Sequence, residues 1–233
     1  MSEREVSFLD GRVRLILGDC REVLPTLGKV DAVVTDPPYG MGWDGKVTVG
    51  KNGHGAPRAK AKHYGVRIHG DDAPFNAEPF LALGDCLLWG FNHFPDQLRK
   101  GRALVWLKRS DEAFGSFLSD AELAWCSTGH GVYCFRDQSL MAETKERAHP
   151  TQKPVPLMKW CIEQFPKADT ILDPFMGSGT TGVAAVKLGR RFIGVEIEER
   201  YFDIAVRRIE EATKQPDFFI EPPPAPKQEA MAI

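Results

Sequence analysis

An α/β fold built on an open, largely parallel sheet is what this sequence predicts, and three observations carry the prediction. Short runs rich in Val, Ile and Leu recur at 13–17, 30–34, 170–172 and 192–195 without strict polar alternation, the pattern of parallel strands covered on both faces. Helix-compatible segments separate them, so that a strand-helix-strand unit occurs twice, once near each end of the chain. Three of the runs are closed by carboxylates at a change of chain direction: Asp19, Asp36 and Glu196. These acids therefore fall at the C-terminal edge of the sheet, where open α/β folds bind ligands.

Taken in order, the run at 13–17 ends at Gly18-Asp19 and leads into a helix at 20–27 and a second strand at 30–34. Asp36-Pro37-Pro38-Tyr39-Gly40 stops that strand, and residues 41–76 hold too much Gly and Lys for a packed element. A helix is expected over 78–89. Strands follow at 103–107, 122–126 and 132–135, joined by turn-like segments around Ser110 and Gly129-His130-Gly131. A helix at 155–165 precedes the strand at 170–172, and the helix after it runs to about Leu188. The strand at 192–195 and an amphipathic helix at 199–209 complete the pattern. The prolines at 222–224 and 226 make an extended tail. One domain over 1–215 with a proline-rich tail at 216–233 is the expected organisation.

The composition agrees with one substantial core: 233 residues, 42% hydrophobic and 27% charged, too apolar for a disordered chain. No apolar stretch approaches the length of a membrane span, and the first residues lack a signal peptide's apolar segment, so a soluble cytoplasmic protein with no membrane partner is expected. The five cysteines are scattered, with no CxxC pair to suggest zinc, and read as buried free thiols. A net charge of −2 predicts no partner. Its distribution is more informative. Residues 45–70 carry Lys46, Lys51, Arg58, Lys60, Lys62 and Arg67 and no acid, a basic, glycine-rich loop suited to tracking phosphates, or else a solvated linker.

Gly177, Gly179 and Gly182 have the GxGxxG spacing directly after a strand, and Glu196 closes the next strand. Missing β-carbons permit a tight turn and close ligand approach, while a carboxylate one strand away can hold a ribose diol. Those features imply an adenosine-bearing cofactor, with S-adenosylmethionine and a dinucleotide both open, as is a purely structural turn. Asp173 sits just before the turn, where its charge disfavours a pyrophosphate and favours the ammonium of an amino acid. Thr180 and Thr181 begin the following helix as donors or caps. Lys153 is a candidate cation for a cofactor carboxylate, although a lone lysine after a loop more often faces solvent.

Asp36-Pro37-Pro38-Tyr39 suits a different task. An exocyclic amine on adenine or cytosine is a poor nucleophile because its lone pair is delocalised into the ring. Two acceptors, the Asp36 carboxylate and the Pro37 carbonyl, can take its two hydrogens, favour pyramidalisation and aim the lone pair outward. The paired prolines restrict the backbone, and Tyr39 offers a flat face to a base. Applied to duplex DNA, this chemistry requires the base to leave the stack. A rigid turn with an exposed tyrosine is the simpler reading of the same four residues.

At this point the chain closely resembles the amino-directed DNA methyltransferases, the adenine-N6 and cytosine-N4 enzymes. Asp36-Pro37-Pro38-Tyr39 is similar to their catalytic motif, and the segment from Asp173 through Pro174, Phe175, Met176, Gly177, Ser178, Gly179 and Thr180 to Thr181 is similar to their cofactor motif. His149-Pro150-Thr151-Gln152-Lys153-Pro154 resembles the segment that wraps the methionine portion of the cofactor. The catalytic motif precedes the cofactor motif, as in the circularly permuted beta group. The resemblance implies a Rossmann-like class I S-adenosylmethionine-dependent methyltransferase fold: a seven-stranded mixed sheet ordered 3-2-1-4-5-7-6, with strand 7 antiparallel and the chain starting near strand 3.

It also implies the site. Asp173, Phe175, Gly177, Ser178, Gly179, Thr180 and Thr181 would line the methionine end of the cofactor, Glu196 its ribose and Asp19 its adenine. Thr151 and Lys153 would flank its carboxylate, while Asp36, Pro37 and Tyr39, with Pro38 as a brace, would receive the flipped base. The implied partners are double-stranded DNA, a second copy of the chain and a cognate restriction endonuclease. Adenine N6 is favoured by the Asp that opens the catalytic motif, with cytosine N4 or a DNA-binding relative without activity as alternatives. Many relatives carry a large recognition insert. Here the basic stretch at about 41–76 is the DNA-reading candidate.

Overall fold

The computed structural model describes residues 4–42, 68–115, 119–137 and 152–214. Its sheet contains β1 (Arg4–Phe8), β2 (Val13–Leu17), β3 (Ala32–Thr35), β4 (Asp85–Trp89), β5 (Arg102–Leu107), β6 (Ala121–Cys126), β7 (Val132–Arg136), β8 (Thr170–Asp173) and β9 (Arg191–Glu196). The spatial order is β1-β2-β9-β8-β3-β4-β6-β5-β7. From β2 to β4 every pair is parallel, β6 runs antiparallel to both neighbours, and β7 lies parallel to β5. The seven strands from β2 to β5 reproduce the expected order with its one reversed strand. β1 and β7 are added at the two edges.

Burial explains the missing polar alternation. Val13, Leu15, Ala32, Val34, Leu87, Trp89 and Ile171 enter one core, whereas Ile16, Val33, Cys86, Leu88 and Leu172 enter the other. The first core is roofed by α3 (Val155–Glu163), α4 (Thr180–Lys187) and α5 (Glu199–Lys214). The second lies under α1 (Cys20–Val23), α2 (Glu78–Leu81) and an aromatic group of Phe75, Phe80 and Phe94. The amphipathic α5 buries Phe202, Ala205, Ile209 and Ala212. It also returns the chain toward the first hairpin, where Arg4 of β1 meets Glu199 and Asp203.

Three expectations need correction. The helix predicted over 78–89 is a single turn followed by the central strand β4, in which Cys86, Leu87, Leu88 and Trp89 are wholly buried. A short run buried on all sides has no diagnostic period. The helix predicted at 20–27 stops at Val23 and tightens into a 3₁₀ turn over Leu24–Thr26, where Pro25 lacks the N–H needed to continue. Of the cysteines, Cys20, Cys86, Cys126 and Cys161 are buried, but Cys134 on the edge strand β7 is exposed. Among the described residues no helix is long and apolar enough to cross a membrane, and no group of three or more metal-ligating side chains is assembled. The basic residues at 46–67 and the tail at 216–233 lie outside the described residues.

Candidate functional site

The parallel strands β3 and β8 are neighbours, and the two motifs leave their adjacent C-terminal ends. Thr35, the last residue of β3, donates its hydroxyl to Asp173 Oδ1 at 2.6 Å, joining the residue before Asp36 to the residue that opens the glycine turn. Thr181, in the first turn of α4, donates to the other oxygen at 2.5 Å, and the Phe175 N–H to Oδ1 at 3.1 Å. Burial nevertheless pushes the Asp173 carboxyl up to about 6. An enclosed carboxylate supplied only with neutral donors favours a ligand that brings a cation.

The turn itself is held open by glycine. Gly177 and Gly179 adopt φ of 53° and 79°, and a β-carbon on Gly179 would lie 2.9 Å from Ala205 Cβ. One strand over, Glu196 accepts from the Gly177 and Glu198 N–H groups, each at 2.8 Å, one on each oxygen. Burial raises its carboxyl to about 7. Each oxygen keeps a further lone-pair direction, as a pair of vicinal hydroxyls requires. Asp19 follows the neighbouring β2, whose extension is tied to β9 by Gly18 N–H donating to the Glu196 carbonyl at 2.9 Å. Its carboxylate caps α1 through the Arg21 N–H and pairs with the Arg21 guanidinium, which holds it below the ordinary carboxylate range.

Ser178 and Thr180 are buried, and Arg208 of α5 donates to the Ser178 carbonyl at 2.6 Å, to its hydroxyl at 2.9 Å and to Thr180 Oγ1 at 3.2 Å. Gln152 accepts from Ser178 Oγ at 3.3 Å, which brings the segment before α3 onto the same turn. Phe175 packs among Phe75 and Phe80. Thr151 lies outside the described residues.

At the second corner, Tyr39 donates its hydroxyl to Asp36 Oδ1 and stacks on His93 with ring centroids 4.8 Å apart. Burial and the neighbouring Asp36 charge raise the phenol well above its ordinary value, so it stays a donor. The loop is pinned from below by the buried Asp71. One of its carboxylate oxygens accepts from the Tyr39, Gly40 and Met41 N–H groups at 3.0, 2.8 and 3.2 Å. Gly40 turns through φ of 77°, where a β-carbon would meet the Ala73 carbonyl oxygen at 2.6 Å. Pro37 is buried and Pro38 half-buried.

Lys153, the candidate partner of a cofactor carboxylate, is bonded within the second corner. It is 6% exposed, and its ammonium donates to Asp36 Oδ2 at 2.5 Å and approaches Glu122 Oε2 at 3.1 Å over the face of Trp89. Lys108 holds the other Glu122 oxygen at 2.8 Å. Burial works to lower the Lys153 value, but the two carboxylates prevail and hold it well above the lysine range. Burial likewise opposes the Glu122 charge, yet Lys153 and Lys108 bring its carboxyl down to about 2.

Thr35, Asp71, His93, Lys108, Glu122 and Arg208 are the site residues that sequence reasoning missed. Thr35 and Glu122 left a readable trace, a polar residue inside an otherwise apolar strand. Asp71 left none, because its partners are some 30 positions away in the chain.

Comparison with known proteins agrees with this geometry. A family model described as DNA methylase, of the N6/N4 type, matches residues 105–207. The chain is similar to the type II methyltransferase M.HinfI of Haemophilus influenzae, 27% identical over an alignment of 285 positions, gaps included, that covers 97% of this chain and 77% of the relative. It is also similar to the type II methyltransferase M2.DpnII of Streptococcus pneumoniae, 57% identical over 110 residues, spanning 46% of this chain and less than half, 41%, of that protein. Among solved structures, the M1.HpyAVI–SAM complex superposes with a TM-score of 0.54 at 22% identity, covering 84% of this chain and 99% of that one. That likeness is one of fold: the Rossmann-like, circularly permuted methyltransferase sheet.

Proposed function

We propose that this chain is a member of the N6/N4 amino-methyltransferase family, to which it is similar, and that it methylates the exocyclic amine of a base in DNA, with S-adenosylmethionine as methyl donor. The observation that carries the reading is the bond from Thr35 to Asp173, which joins the two strand ends from which the motifs leave. The residues present fit the cofactor. Asp173 offers a buried carboxylate to its ammonium, Glu196 offers a free lone pair on each oxygen to its ribose, and Gly177 and Gly179 give the turn its left-handed backbone, with Gly179 leaving room for Ala205 of α5. Asp19 would mark the adenine end. When bound, the cofactor supplies an electrophilic methyl group.

The chain's own residues do the rest. Asp36 already accepts from Tyr39 and Lys153, one bond on each oxygen, so both oxygens retain an acceptor direction for an amine hydrogen. The Pro37 carbonyl would take the second hydrogen, and the face of Tyr39 not covered by His93 would receive the flipped base. Positive charge developing on the nitrogen is stabilised by Asp36, while alignment in a closed pocket supplies much of the rate advantage. The proton can leave after transfer, so Asp36 need not act as a strong base.

The target amine is adenine N6 or cytosine N4. The Asp that opens the catalytic motif favours adenine by resemblance, while the acceptor geometry serves both. Nucleoside mass spectrometry of DNA incubated with purified protein and isotopically labelled cofactor decides: N6-methyladenine is expected, N4-methylcytosine establishes the alternative, and no labelled nucleoside overturns the function. The basic residues at 46–67 are proposed to contact DNA phosphates, and a second copy of the chain to supply the recognition surface that a large insert provides elsewhere. Light scattering reads the latter directly.

A further inference from the structure

Outward from Asp36, the structure holds a row of alternating charges whose outer members, Glu122 and Lys108, the methyl-transfer scheme does not use. Asp36 at the end of β3, Lys153 before α3, Glu122 on β6 and Lys108 after β5 come from four separate parts of the chain and are joined by contacts of 2.5, 3.1 and 2.8 Å. Lys153 is buried against Trp89, while Glu122 is about one-third exposed. The other titratable groups that bear on Lys153 are the Tyr39 phenol and the buried Cys161 thiol.

Resting on the proposed function, we infer that Glu122 and Lys108 are positioning residues for methyl transfer: through Lys153 they orient Asp36 and keep the charge row electrically neutral where the reacting nitrogen becomes positive. A lysine bonded to the carboxylate that must stabilise a nascent cation cancels the charge of Asp36, so the pair contributes through its geometry and not through a net negative charge. Glu122 holds that ammonium from its other side, and Lys108 balances Glu122, so that the outer pair adds no net charge. Asp36 keeps its charge and its orientation, and the row adds no net positive charge beside the amine.

Charge counting supplies a test that a merely structural role fails. Glu122→Gln leaves the row with a net charge of +1, Lys108→Met leaves it at −1, and the double variant E122Q/K108M restores neutrality. The experiment measures single-turnover methyl transfer and the dissociation constant for S-adenosylmethionine on the full chain. Wild-type transfer establishes the underlying function first; an inert wild type overturns that reading, and the inference with it. Given transfer, Glu122→Gln should slow the chemical step about tenfold or more, for one unbalanced charge close to the developing cation. Cofactor affinity should stay within about twofold, and the double variant should recover most of the loss.

Wild-type rates in Glu122→Gln overturn the inference. So does a loss that the double variant fails to restore, which would reduce Glu122 to a strand residue whose removal damages packing.

Discussion

Replacing Gly90 with alanine should disable methyl transfer through a residue that touches neither cofactor nor base. Gly90 follows β4 at φ of 71°, and a β-carbon there would lie 2.0 Å from Tyr39 Cε1 and 2.3 Å from Cζ. Carbon atoms in contact need about 3.5 Å, so the Tyr39 ring must retreat by roughly 1.5 Å. The movement strains the His93 stack and draws the phenol hydroxyl from Asp36. A left-handed alanine costs about 1–2 kcal/mol and overpacking a further ~1–3 kcal/mol, together about 2–5 kcal/mol. For a chain of this size that is roughly 4–10 °C in melting temperature. Misplacement on this scale lowers the chemical step about a hundredfold. Thermal melting, single-turnover transfer and calorimetric cofactor titration read the three effects separately, with cofactor affinity expected to stay within about twofold. A Gly90→Ala protein with wild-type turnover, or one that loses cofactor affinity while its chemical step is unchanged, would refute the reasoning.

Asp36→Ala should preserve cofactor binding and abolish methylation, read by calorimetry and by labelled methyl incorporation; residual turnover near the wild-type level contradicts the assigned role. Burial holds Asp173 at about 6 and Glu196 at about 7, above their ordinary values of 3.8 and 4.5. The folded protein therefore binds protons here that the unfolded chain releases. The stabilisation from these two groups is present below pH 4 and is lost as pH rises through about 6 and 7, so their contribution lowers the melting temperature of the unliganded protein between pH 5 and 8. A ligand with an ammonium and ribose hydroxyls favours the ionised carboxylates, so cofactor affinity should rise at least about tenfold over the same interval; an affinity independent of pH would exclude it. Changing Lys46, Lys51, Arg58, Lys60 and Lys62 together should weaken DNA binding and flatten its salt dependence, and an unchanged salt slope would remove the loop from the DNA contact.

Much of this architecture was legible because both cores impose a simple pattern. Strands buried on two faces read as apolar runs, and their terminal acids mark one sheet edge, so β2, β3, β8 and β9 were placed with Asp19, Asp36, Asp173 and Glu196 at their ends. β4 was misread because a wholly buried strand after one helical turn looks like a buried helix. The hairpin from β1 to β2 went unseen, although it turns at Asp10-Gly11, both with positive φ, between the two paired strands. Within the site, local sequence carried the glycine turn and the Asp-Pro-Pro-Tyr loop. It could not carry Asp71 or Arg208, whose roles exist only after distant segments pack together. Lys153 shows the same limit from the other side. After a loop it reads as a cation for a cofactor carboxylate or as solvent-facing, and burial against Trp89 with two carboxylates is a property of the assembled sheet.

The most direct test of a shared pocket is a crystal structure of the protein with a non-reactive sulfonium analogue of the cofactor. The account predicts ribose hydroxyls on Glu196, the amino group at Asp173 and the sulfonium substituent aimed at the space between Asp36 and the Pro37 carbonyl. An analogue bound at the glycine turn with its sulfonium directed away from Asp36, out of reach of any base stacked on Tyr39, would contradict it.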